Sequence, residues 1–119
     1  MKPKTKKPKS VKETLEMSKK LIQPAGRWIK EEYKIEPSPG IYGNGLRKPR
    51  FCAIGALNEI DGRYEQKACE LLHEAIPDPE QFDTVESFND DDETTHRMVL
   101  ALYNRAIKLA GQRRKGARR

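Results

Sequence analysis

Few residues in this chain have side chains suited to catalysis or metal binding. It holds two cysteines, Cys52 and Cys69, and two histidines, His73 and His96. Cys52 follows Phe51 in the segment FCAIGAL, in what reads as the first turn of a helix. Backbone N–H groups and the helix dipole lower a thiol pKa there. His96 could serve as a base and Asn89-Asp90 as its orienter, with Asp90 the acid, each from a distant segment as in thiol triads. The flanking residues argue otherwise: Phe51, Ala53, Ile54, Ala56 and Leu57 are apolar. Cysteine is also among the most buried residue types and behaves as a small apolar group. Packing is the preferred reading of Cys52, and no catalytic residue is assigned.

Cys69 and His73 stand four apart on one helix face, a spacing that can grip an ion. Completing a tetrahedral set would need Cys52 and His96 as well, and no CxxC or HExxH spacing supports it. No metal or cofactor is expected. The glycine-rich GIYGNG lacks the lysine and hydroxyl residue of a phosphate loop and reads as a flexible connection. The acids Asp90, Asp91, Asp92 and Glu93 lack calcium-loop spacing and suit helix capping. Asn89 reads as a turn residue bonding to nearby backbone. With Trp28 and Asp90 it forms the candidate surface site.

Charge is distributed unevenly. The 119 residues carry 24 Lys and Arg against 18 Asp and Glu, a net +6. MKPKTKKPK holds Lys2, Lys4, Lys6, Lys7 and Lys9, and QRRKGARR holds Arg113, Arg114, Lys115, Arg118 and Arg119, with no acid in either. Those ten cations set against +6 leave −4 on residues 10–111. The ends are therefore the candidate nucleic-acid contacts, through salt-sensitive attraction to phosphates. Neither end interleaves aromatic residues, so base stacking is not indicated there.

The elements that must position these residues are mainly helical. Residues 1–9, with two prolines and five lysines, read as a disordered basic tail, and 112–119 as another. The domain spans 10–111. Ser10 and Glu13 make a capping box for an amphipathic helix with Val11, Leu15, Ser18 and Ile22 on one face, Ser18 being its weak point. Residues 27–49 are irregular, with a possible short hairpin around Asn44-Gly45. Phe51 to Ile60 reads as a short buried helix in which Gly55 lets another helix approach. A third helix carries Tyr64, Ala68, Leu71, Leu72, Ala75 and Ile76 on one stripe. Residues 78–93 form an acidic connection whose Phe82, Val85 and Phe88 tuck onto the core. The last helix begins near Thr94, capped by Asp92 or Thr94, and stops at Gly111. The fold class is a small four-helix domain. No apolar run is long enough to span a membrane, and no secretory signal is seen, so a cytoplasmic location with reduced cysteines is expected.

Trp28, FCAIGAL, FND and THRMVLALYNRAIKLA, taken in order, resemble a family of small uncharacterised bacterial and phage proteins, a domain of unknown function, over residues 11–110. Phe88 stands where that pattern usually has tryptophan. The resemblance implies this helical architecture and no established activity. The leading functional expectation is a non-enzymatic accessory protein that binds a macromolecule, with electrostatic nucleic-acid contact through the basic ends. The alternatives are a protein-binding or homo-oligomeric module near Trp28 and Tyr42, and a cysteine-dependent hydrolase or transferase using Cys52. The oligomeric state stays open.

Overall fold

The structure is a computed structural model that describes residues 7–24, 26–35, 49–60 and 62–116, with only the backbone of 113–116. Among them the chain forms a mainly helical domain: α1 (Val11–Ile22), α2 (Ala53–Glu59), α3 (Glu65–Glu74), α4 (Val85–Asp90) and α5 (His96–Gly116). Two short strands, β1 (Lys34–Ile35) and β2 (Arg50–Phe51), pair antiparallel, Lys34 opposite Phe51 and Ile35 opposite Arg50. The possible hairpin turn at Asn44-Gly45 lies outside the described residues, as does Tyr42. No helix among the described residues is long and apolar enough to cross a membrane.

Helix α1 lies at the centre, packed against α2, α3 and α5. Its start follows the capping pattern: Ser10 Oγ accepts from the Glu13 amide at 3.1 Å, while the Glu13 carboxylate reaches one residue further back, to the Lys9 amide at 2.8 Å. Leu15 and Ile22 are buried, and so are Thr14 and Ser18. Ser18 is not the weak point its polarity implies. Its hydroxyl donates to the Thr14 carbonyl at 2.9 Å, and the Thr14 hydroxyl donates to the Ser10 carbonyl at 2.9 Å, so neither burial leaves a donor unpaired. From α5, the fully buried Tyr103 sends its hydroxyl to the Ala53 carbonyl at 2.7 Å, tying the last helix to the start of α2.

Four elements differ from the sequence-based expectation. The buried helix begins at Ala53; Phe51 belongs to β2 and Cys52 is the N-cap. Phe51 donates its amide to the Arg27 carbonyl at 2.8 Å, and its own carbonyl accepts from the Ile29 amide at 3.0 Å, so the Trp28 region is extended, bridged parallel to β2. The acidic connection contains α4, started by a capping box in which Thr84 pairs with Ser87. Six residues are too few to show helical periodicity in a sequence. Helix α5 is capped by Thr95, whose Oγ1 accepts from the Met98 amide at 3.2 Å, and not by Asp92 or Thr94. It also continues through Gly111 to Gly116.

Gly55 does permit a close approach, but by backbone and not by a helix. A Cβ at Gly55 would lie 1.6 Å from the Tyr33 carbonyl oxygen, which itself accepts from the Cys52 amide at 3.2 Å. Even Gly55→Ala must push the Tyr33 segment off α2. It is expected to lower stability by about 1–3 kcal/mol. Chemical denaturation of the two chains checks this; an unchanged midpoint would contradict the contact.

Candidate functional site

Asn89, in the last turn of α4, is fully buried and joins three segments. Its Oδ1 accepts from Trp28 Nε1 at 2.6 Å and from the Ala53 amide at 3.0 Å. Its Nδ2 donates to the Ile29 carbonyl at 3.0 Å and to Asp90 Oδ1 at 2.9 Å. An amide side chain has two acceptor and two donor positions, and all are used. Asn89 is thus neither a surface residue nor a local turn residue: its partners are 36 to 61 positions away, Asp90 excepted.

Around it, Asp90 and Trp28 organise the Trp28–Tyr33 segment. Asp90 Oδ1 also accepts from the Glu31 amide at 2.7 Å, holding Glu31 at φ 68°. That left-handed conformation is uncommon for a residue with a Cβ, so the chain's bend here depends on the carboxylate. Lys30 Nζ donates to the Asp91 carbonyl at 2.6 Å and sits 5.8 Å from the centre of the Trp28 ring. His96 stacks on Trp28, ring centres 5.6 Å apart and planes 5° from parallel. Its Nε2–H donates to the Ile22 carbonyl at the end of α1.

Cys52 is 4 % exposed. Its Sγ accepts from the Gly55 amide at 3.2 Å, the role of a helix cap. It borders a cavity of about 120 Å³ whose other walls are Glu31, Glu32, Tyr33, Glu86 and Asp90. Burial pushes the thiol pKa up, the Asp90 and Glu86 charges add to this, and the Gly55 and Ile54 amides oppose it. A thiol among carboxylates is held protonated, the reverse of what a nucleophile requires. His96 does not line this cavity, and its Nε2 is engaged with Ile22. Cys52, Asp90 and His96 are therefore not assembled as a triad. On α3, Cys69 is half-buried, and His73 Nε2 lies 2.9 Å from the Asp83 carbonyl. Among the described residues no group of three or more His, Cys, Asp or Glu could hold a metal ion.

The acids at 90–93 act locally as well: Asp91 Oδ2 accepts from the Glu93 amide at 3.0 Å. Phe88 is buried and meets Phe82 edge-on, ring centres 5.3 Å apart, a contact that needs no indole N–H. Of the basic residues, Lys7 and Lys9 are exposed on the folded body, and Arg113, Arg114 and Lys115 belong to the final turns of α5. Lys4, Lys6, Arg118 and Arg119 lie outside the described residues. Sequence reasoning gave Arg63 no role and set Tyr64 on the apolar stripe of the third helix; Tyr64 is instead the half-buried N-cap of α3, and the two share a cleft with Lys7 and Lys9. They stand more than fifty positions from those lysines, and no spacing links them.

Asn89→Ala is expected to be among the most damaging single substitutions, since each buried group left unpaired costs about 1–3 kcal/mol. Asn89→Asp keeps the acceptor but loses the donor to Ile29 and buries a charge, so it should not rescue. Thermal melts of both variants check this. In the native chain iodoacetamide should modify Cys69 well before Cys52, with Cys52 reacting only on unfolding. Peptide mapping after brief alkylation reads it directly, and early modification of Cys52 would contradict its role as a buried cap.

Comparison with curated proteins returns no match, and comparison with solved structures returns none. A family profile, "Family of unknown function (DUF6197)", matches residues 6–109. That stretch runs from just before the buried Pro8 to the last buried turns of α5, and includes Trp28, Cys52, Gly55 and Asn89. The chain belongs to the DUF6197 family, a family of unknown function.

Proposed function

We propose that this protein is a non-enzymatic accessory protein that contacts nucleic acid through its basic end segments. The observation that carries this reading is the segregation of charge. Ten cations and no acid lie in residues 1–9 and 112–119, against −4 over the rest of the chain. Lysine and arginine grouped in this way attract phosphates, and counterion release then drives binding. The burial of Cys52 and its acidic surroundings weigh against a thiol enzyme. A second reading, a protein-binding or self-associating module, draws on Tyr33 and Ile35, 54 % and 37 % exposed beside or on the short strand β1.

Fluorescence anisotropy with labelled single-stranded DNA and RNA tests the first reading. Binding should weaken steeply with salt, by a log–log slope of about −0.7 per phosphate contacted. Replacing Lys2, Lys4, Lys6, Arg118 and Arg119 by serine should reduce both affinity and slope. No binding at low salt would refute it, and a concentration-dependent dimer in light scattering would favour the second reading.

A further inference from the structure

We infer that the cleft between the anchored segment Lys7–Lys9 and the turn Gly62–Tyr64 is a phosphate-binding site for a nucleic-acid strand; this inference rests on the reading above and gives it a place on the folded body. The N-terminal basic segment is not independent of the domain at this point. Pro8 is buried while Lys7 and Lys9 on either side are exposed, so the segment turns its proline inward and both lysines outward. Two contacts hold it there. The Lys9 amide donates to Glu13 Oε1 at 2.8 Å, and the Pro8 ring sits over Gly62. Gly62 has φ +152°, which a residue with a Cβ rarely adopts, and a Cβ there would already touch Pro8 Cγ at 3.4 Å. Glycine at 62 thus permits the backbone course of this turn, and the proline packs against it, which brings the lysines beside Arg63.

The resulting cleft has a volume of about 500 Å³ and is lined by Lys7, Pro8, Lys9, Gly62, Arg63 and Tyr64. No acid among the described residues lines it. The lining carries three cations on a body of negative balance, with the Glu13 carboxylate on the Lys9 amide nearby. Arg63 is oriented from within: its guanidinium lies 5.3 Å from the centre of the Tyr64 ring, and Nη2 donates to the Tyr64 hydroxyl at 3.3 Å. A guanidinium carries five N–H donors, so this contact positions the group without exhausting it. An oriented guanidinium with two ammonium groups matches a phosphate, which arginine meets through paired hydrogen bonds and lysine as a point charge. The cleft is within the volume range of small-ligand sites, yet its lining is cationic and not mostly apolar. Lys6, Lys4 and Lys2 precede Lys7 in the sequence, more positive charge than one phosphate requires. A flexible single strand can turn a phosphate into such a concavity.

The test uses the full chain and a labelled single-stranded DNA. Lys9→Gln with Arg63→Gln removes two cleft cations, both exposed, so the fold should persist; melting temperatures verify that. Lys20→Gln with Lys108→Gln removes two exposed cations outside the cleft. The cleft pair should weaken binding about tenfold and flatten the log–log salt slope by about 1.4, while the control pair changes affinity less than about twofold. Equal losses from both pairs, or no loss from the cleft pair, would overturn the site and leave general electrostatic binding intact. Failure of the unmodified chain to bind would remove both.

Discussion

A buried amide must find every hydrogen-bond partner it needs, and in this protein that requirement falls on Asn89. Its side chain is fully buried and uses both lone pairs of its oxygen and both hydrogens of its nitrogen. The Ala53 amide it receives lies in the first turn of α2, where backbone N–H groups have no partner within the helix. Asn89 therefore caps one helix from the end of another while fixing the Trp28 indole and the Ile29 backbone. Loss of any of these partners would leave a polar group stranded in a low-dielectric interior, where it costs most.

The surroundings of Cys52 follow from this arrangement. With Trp28 and Ile29 held, the chain runs beside β2, bends at Glu31 under the Asp90 carboxylate, and returns so that Tyr33 lies against Gly55. That return brings Glu31, Glu32 and Tyr33 over the Cys52 thiol, opposite Glu86 and Asp90. A cysteine that caps a helix is placed as a nucleophile would be, yet here the charges have the wrong sign. Trp28, held by Asn89, stacks on His96, whose ring joins the end of α1 to the start of α5. The residues with catalytic potential are thus spent on joining elements, and the cationic cleft at Arg63 is walled by a different set of residues from the acidic cavity at Cys52.

Much of the helical frame was legible because helices declare themselves locally. The Ser10 cap, the stripes of α1 and α3, and the apolar run from Ala53 to Leu57 each reflect contacts within a few residues. The small size required at Gly55 was legible too, although the neighbour that imposes it was not. α4 escaped notice because its capping partner at the third position is Ser87 and its length is a turn and a half. The start of α5 was misplaced because Asp92, Thr94 and Thr95 are all acceptable caps by residue type, and only backbone geometry selects Thr95.

The amino-acid order by itself determined that four of the five helices form, which of their faces are apolar, and that positive charge gathers at the ends, since periodicity and composition are local properties. The tertiary structure alone decided that Asn89 serves Trp28, Ile29 and Ala53, that Cys52 faces carboxylates, and that Lys7 and Lys9 stand beside Arg63. These depend on pairings across 36 to 61 positions for Asn89 and on a buried proline against a glycine more than fifty residues away. Such contacts exist only after the chain closes on itself. A side chain's type limits what it can bond; the fold determines which groups come within reach.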